Sequence, residues 1–132
     1  MKRVLIVDDD RATSAGMADV MEEWGYEPEI ADTLKAGWTS INKMLPDVAI
    51  VDLKLPDGSG LDLLHRVKEA FPDVSVIILT GHATVETAVK ALKVGAEDYV
   101  TKPVDLDQLL SIIRVHVSAS ESGHSAKTPV RG

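Results

Sequence analysis

An α/β fold, built as a doubly wound five-stranded parallel sheet with helices on both faces, is predicted by three features of this chain. Short apolar runs alternate with stretches of helical period, five times over 132 residues. Three of the runs, Val4-Leu5-Ile6-Val7, Val48-Ala49-Ile50-Val51 and Val76-Ile77-Ile78-Leu79, are apolar without interruption, as strands covered on both faces are. Each helical stretch but the last leads back into a strand, and parallel strands joined by single helices cross over right-handedly.

The first strand spans residues 3–8 and ends in Asp8-Asp9-Asp10. The helix after it carries Met17, Val20, Met21 and Trp24 on one stripe, and Gly25 stops it. A second strand, 27–31, leads to Asp32 as a candidate N-cap for a helix marked by Leu34, Trp38, Ile41 and Leu45, with Pro46 just beyond. The third strand, 48–52, ends in Asp52 and precedes a helix with Leu64, Val67 and Phe71 on its inner face and Pro72 after it. The fourth, 74–79, runs into Thr80-Gly81-His82. Thr84 then caps a helix striped with Val85, Ala88, Val89 and Leu92, closed by Gly95. The fifth strand, 98–101, meets Lys102-Pro103. Asp105 with Gln108, a capping-box variant, opens the last helix, striped with Leu106, Leu109, Leu110, Ile113 and Val117. From Ser118 the period dissolves, so one folded domain is expected over residues 1–117 and a flexible linker or tail over 118–132.

A chain of this length buries enough surface for one core without cross-links. It has no cysteine, which removes disulfides, thiolate metal sites and a cysteine nucleophile. No apolar run approaches the length of a membrane span, and the N-terminus enters a strand directly instead of a signal-type apolar segment. A cytoplasmic location, with no membrane contact, is the expectation. With 14 basic against 21 acidic residues the net charge is -7, so direct nucleic-acid binding by this domain is not expected.

The order 2-1-3-4-5, flavodoxin-like, is the simplest arrangement that buries strands one, three and four. In such sheets ligands bind beyond the carboxyl ends of the strands where the order reverses, here between strands one and three. That topology brings Asp8 and Asp9 to Asp52. Carboxylates this close stay ionised only with a compensating cation or strong donors, and Mg²⁺, which takes oxygen ligands, suits Asp9 and Asp52 directly, with Asp8 as a further acid. With a cation present Asp52 is a candidate nucleophile toward a phosphoryl donor, and Lys102 and Thr80, at neighbouring strand exits, are placed to meet the phosphoryl oxygens.

Each of these residues has a plainer reading. Asp8, Asp9 and Asp10 are the acids a helix N-terminus attracts, Thr80 is an ordinary strand exit, Lys102 an ordinary solvated lysine, and His82 is expected to be solvated. Trp24 and Trp38 read as packing residues. The coincidence decides: four strand exits each carry a group that one mechanism requires.

Taken together, residues 2–117 resemble a receiver domain of the response regulators of bacterial two-component systems. That resemblance implies that Asp52 is the phospho-acceptor, with Asp8 and Asp9 as the acidic pair, Thr80 as the hydroxyl and Lys102 as the lysine. It also implies a backbone carbonyl from Lys54 as a Mg²⁺ ligand and a cis peptide before Pro103. Tyr99 stands at the aromatic switch position. Rotation of its ring with a shift of Thr80 is then expected to remodel the surface formed by the fourth helix, fifth strand and fifth helix. The implied partners are a sensor histidine kinase or phosphotransfer protein, with a homodimer through that same surface. The domain is a signalling device that assists its own phosphorylation and acyl-phosphate hydrolysis, not an enzyme of metabolism.

The run Thr80-Gly81-His82-Ala83-Thr84-Val85-Glu86-Thr87-Ala88-Val89-Lys90-Ala91-Leu92-Lys93-Val94-Gly95-Ala96 resembles receivers of nitrogen-regulator-type transcriptional activators, which points to transcription regulation. A stand-alone single-domain regulator is the alternative, as is a receiver-like interaction module that is never phosphorylated. Two rivals fit less well. An aspartate-nucleophile phosphatase of the haloacid dehalogenase type needs a second Asp two residues after the first, where this chain has Lys54. A nucleotide-binding domain needs glycines after its first strand, where this chain has Asp8-Asp9-Asp10-Arg11-Ala12.

Overall fold

The structure, a computed structural model, describes residues 2–81 and 83–121. His82 and residues 122–132, most of the expected tail, lie outside the described residues. The elements are β1 (Arg3–Val7), α1 (Arg11–Glu23), β2 (Glu27–Ala31), α2 (Leu34–Lys43), β3 (Val48–Asp52), β4 (Lys54–Leu55), β5 (Gly58–Ser59), α3 (Gly60–Ala70), β6 (Ser75–Thr80), α4 (Val85–Val94), β7 (Asp98–Thr101) and α5 (Leu106–Glu121).

Five strands form one parallel sheet in the order β2-β1-β3-β6-β7, which is the expected 2-1-3-4-5 once the short β4-β5 hairpin is set aside. The period-2 alternation of each strand divides the core. Leu5, Val7, Val51, Val76 and Ile78 face α2, α3 and α4, meeting Ile41, Leu63, Leu64, Val67 and Ala91. Val4, Ile6, Ile50, Ile77, Leu79 and Val100 face α1 and α5, meeting Met17, Met21, Leu109, Ile113 and Val117. β3 and β6 are buried along their whole length, as interior strands of a doubly wound sheet must be.

Three details differ from expectation. The N-cap of α2 is Thr33, which accepts the Ala36 N–H, and not Asp32. The apolar stripe of α4 faces outward: Val85 is 82% exposed, and Val89 and Leu92 are exposed too, while Ala91 is buried. Small side chains let this helix lie close to the sheet, so its larger apolar residues are turned away from it; Leu45, beyond the end of α2, is likewise exposed. Finally, α5 continues to Glu121, four residues past 117. A helix already nucleated by three turns anchored through Leu109, Ile113 and Val117 extends at little cost past residue 117. Among the described residues no helix is long and apolar enough to cross a membrane.

Candidate functional site

The site forms where β1, β3, β6 and β7 end. Asp8 follows β1, with its N–H on the Ala31 carbonyl at 2.9 Å, and is 2% exposed. Asp9 is exposed beside it. Asp52 is the last residue of β3 and buried, Thr80 is the last residue of β6 and fully buried, and Lys102 immediately follows β7. The Lys102 N–H donates to the Thr80 carbonyl at 2.8 Å, which locks the two exits together. The Lys102-Pro103 peptide is cis.

One carboxylate oxygen from each of Asp8, Asp9 and Asp52 falls within 4.8 Å of the others. Lys102 Nζ lies 3.0 Å from Asp8 Oδ2 and 3.0 Å from Asp52 Oδ2. It donates a hydrogen bond to Asp52, whereas its contact with Asp8 is an ion pair without hydrogen-bond geometry, and Asp8 Oδ2 is left buried with no hydrogen bond among the described residues. The other Asp8 oxygen accepts the Asp10 N–H at 3.0 Å, and Asp52 Oδ1 accepts the Lys54 N–H at 3.3 Å.

Burial raises the Asp8 carboxyl above the ordinary aspartate value and outweighs the Asp10 N–H and Lys102, which act to lower it; the Asp52 charge adds to the rise. Burial acts to lower the Lys102 ammonium, but the Asp8 and Asp52 carboxylates, each 3.0 Å away, prevail and hold it above the usual lysine value. Both groups therefore grip protons, the behaviour of a pocket short of positive charge. Three carboxylates meet one ammonium, and among the described residues the buried Asp8 Oδ2 has that shared ion pair but no hydrogen bond. An all-oxygen set with these properties fits a hard divalent cation.

The acids divide their duties. Asp10 is the N-cap of α1, accepting from Thr13 N–H at 3.3 Å and Thr13 Oγ1 at 2.8 Å, so the capping reading holds for Asp10 and does not account for Asp8 or Asp9. Gly60 closes the site from below. A Cβ there would collide with the Asp52 backbone carbonyl, so only glycine lets α3 start this close to the acidic strand end.

Two contacts escaped sequence reasoning. Tyr99, half-buried on β7, bonds through its hydroxyl to Thr87 Oγ1 at 2.8 Å. Asp57, in the turn between β4 and β5, accepts the N–H groups of Leu34 and Lys35. Thr84 and Thr87 form a capping box at the start of α4 that names no partner on β7, and Pro56-Asp57-Gly58 marks a turn without naming a partner either.

A family model described as response regulator receiver domain matches residues 4–114. The photosynthetic apparatus regulatory protein RegA of Rhodovulum sulfidophilum is 42% identical over 110 residues, covering 83% of this chain and 60% of the relative. Among solved structures, a CheY-like receiver domain protein from Methanospirillum hungatei JF-1 matches with a TM-score of 0.89 and 37% identity, over 93% of this chain and 98% of that one. The beryllofluoride-activated NtrC4 receiver domain dimer matches with a TM-score of 0.86 and 38% identity, over 91% of this chain and 99% of that one. This chain spans about 60% of the length of the RegA and ActR relatives.

Proposed function

Because the chain belongs to the receiver domain family of two-component response regulators, we propose that Asp52 accepts a phosphoryl group from the phosphohistidine of a sensor kinase or phosphotransfer protein. The P–N bond to the imidazole breaks, a P–O bond to an Asp52 oxygen forms, and the imidazole departs. The observation that carries this reading is the Lys102 ammonium, 3.0 Å from Asp52 Oδ2 and equally close to Asp8, a cation standing where phosphoryl oxygens would require one. Thr80, buried at the next strand exit, is the hydroxyl that would receive another of those oxygens.

Asp8, Asp9, Asp52 and the Lys54 carbonyl would hold Mg²⁺, which when bound neutralises charge on the phosphoryl oxygens. Without it the acidic pocket repels an incoming phosphoryl group. The same residues serve the later attack of water that releases inorganic phosphate and restores the Asp52 carboxylate.

A phosphoryl group adds about -1.5 to -2 charge to a pocket already acidic, so the groups around it must rearrange. Thr80 moving toward it and Tyr99 following would alter the face made by α4, β7 and α5, shifting a pre-existing two-state equilibrium. The exposed Val85, Val89 and Leu92 support that face as the contact for a second copy or an output domain. In this reading residues 1–117 are the receiver and the following segment a linker, in a cytoplasmic regulator of transcription.

The decisive test is labelling by acetyl phosphate with Mg²⁺. A hydroxylamine-labile label on the wild type, absent in Asp52→Asn, is expected; a label retained by Asp52→Asn would place the acceptor elsewhere, and an unlabelled wild type would overturn phosphorylation itself. Beryllofluoride with Mg²⁺ should shift resonances of Tyr99 and residues 84–95, and spectra unchanged there would disprove the switch.

A further inference from the structure

The chain between Asp52 and α3 is a hairpin, Lys54 paired with Ser59 and Leu55 with Gly58, whose tip is fastened to another helix. Asp57 Oδ1 accepts the Leu34 N–H at 2.8 Å and Oδ2 accepts the Lys35 N–H at 3.1 Å. Leu34 and Lys35 open α2, and such N–H groups have no partner within their own helix. Thr33 satisfies a third, the Ala36 N–H, at 2.9 Å. So α2 is capped twice: once by its own Thr33, and once by a carboxylate 23 positions beyond its first residue.

The contact is close as well as polar. Gly58 has φ of +146°, and an added Cβ would come within 2.9 Å of Leu34 Cδ1, so the hairpin tip lies directly on the start of α2. At its other end the hairpin reaches the acidic site: the Lys54 N–H donates to Asp52 Oδ1 at 3.3 Å, and the Gly60 N–H donates to the Leu53 carbonyl at 2.8 Å. The α2 N-terminus and the acceptor carboxylate are thereby joined through one short, braced segment.

We propose that Asp57 is a positioning residue for the acidic site: by clamping the hairpin tip to α2 it holds the Lys54 backbone beside Asp52 in the arrangement that cation binding requires. The proposal rests on the reading of Asp8, Asp9, Asp52 and Lys54 as the Mg²⁺ set. Asp57 touches neither cation nor phosphoryl group and acts through Lys54. Capping of α2 alone would be a purely structural role, and Thr33 provides the control, because Thr33→Ala uncaps the same helix without touching the hairpin.

The experiment is Mg²⁺ titration of the full chain, followed by the amide resonances of Asp9, Asp52 and Lys54, in wild type, Asp57→Ala, Asp57→Asn and Thr33→Ala, with a thermal melt of each. Asp57→Ala is expected to weaken Mg²⁺ binding about tenfold, the loss typical when a group orienting a ligand is removed. Asp57→Asn, which keeps one acceptor oxygen on the same stem, should recover most of that affinity, and it carries the test if the alanine variant fails to fold. Thr33→Ala should lower the melting temperature while leaving Mg²⁺ affinity near wild type. Equal Mg²⁺ affinities in Asp57→Ala and wild type, or equal losses in Asp57→Ala and Thr33→Ala, would overturn the positioning role alone. A wild type that shows no Mg²⁺ response would overturn the cation reading and the role of Asp57 with it.

Discussion

The Tyr99 hydroxyl lies 2.8 Å from Thr87 Oγ1, and this bond ties β7 to the first turn of α4. The same Thr87 hydroxyl accepts the Thr84 N–H at 3.1 Å, while Thr84 Oγ1 accepts the Thr87 N–H at 3.0 Å, so Tyr99 is attached to the cap of the helix and not merely to its surface. Withdrawing the ring must disturb that cap. A hydrogen bond of this kind contributes about 1 kcal/mol net. Tyr99→Phe and Thr87→Val are each expected to lower stability, and the double variant to lose less than the two losses added, with a coupling of about 1 kcal/mol by denaturant unfolding. Strictly additive losses would mean that the two hydroxyls do not interact in solution.

The sheet was legible because β1, β3 and β6 hold continuous apolar runs that leave few alternatives, and because topology then dictates which strand exits meet. Period could not say which apolar face of α4 is covered. Val85, Val89 and Leu92 repeat at helical spacing, yet they are exposed and Ala91 is the residue of the helix that is buried. The hairpin was invisible for another reason: strands of two residues carry no period, and the contact that fastens it joins Asp57 to Leu34 over 23 positions. Asp10 was read together with Asp8 and Asp9, and only the geometry separates the cap from the cluster.

Gly60 sits where a Cβ would strike the Asp52 backbone carbonyl and would also approach Val51 Cγ1 to 3.0 Å. Backbone cannot yield as a flexible side chain does. Gly60→Ala is therefore expected to cost about 1–3 kcal/mol of stability. Because relief of the clash must push on Asp52, the proposed acceptor, the folded fraction should also label more slowly with acetyl phosphate. A variant of wild-type stability and labelling rate would show that α3 can move away from β3 freely.

Asp8 holds a buried charge that the fold does not fully satisfy. Asp8→Asn keeps the shape and an oxygen for the Asp10 N–H, removes repulsion toward Asp52, and leaves Lys102 paired with Asp52. Without added cation the variant is expected to be more stable than wild type. Its Mg²⁺ affinity should fall. Opposite signs on the two measurements mark a charge kept for binding and not for folding; a less stable variant would show instead that Lys102 more than compensates Asp8.

These shifts also define how cation-free stability should vary with pH. The Asp8 carboxyl titrates above 3.8 in the folded protein, so the native state binds its proton more tightly than the unfolded chain does, and stability rises as pH falls from neutrality through the folded value. Asp10 and Asp57 behave oppositely. Asp10 is held below 3.8 chiefly by its hydrogen bonds from Thr13, and Asp57 chiefly by the Leu34 N–H; their contributions are fully present above 3.8 and are lost as pH falls through their lower folded values. Urea midpoints measured from pH 7 down to about 2.5 should therefore climb on mild acidification and decline below about 4. Asp8→Asn should flatten the climb, and Asp57→Asn should make the decline shallower. A wild-type profile that falls steadily from pH 7 would mean that Asp8 is stabilised as an anion, contrary to the burial and missing donor found around it.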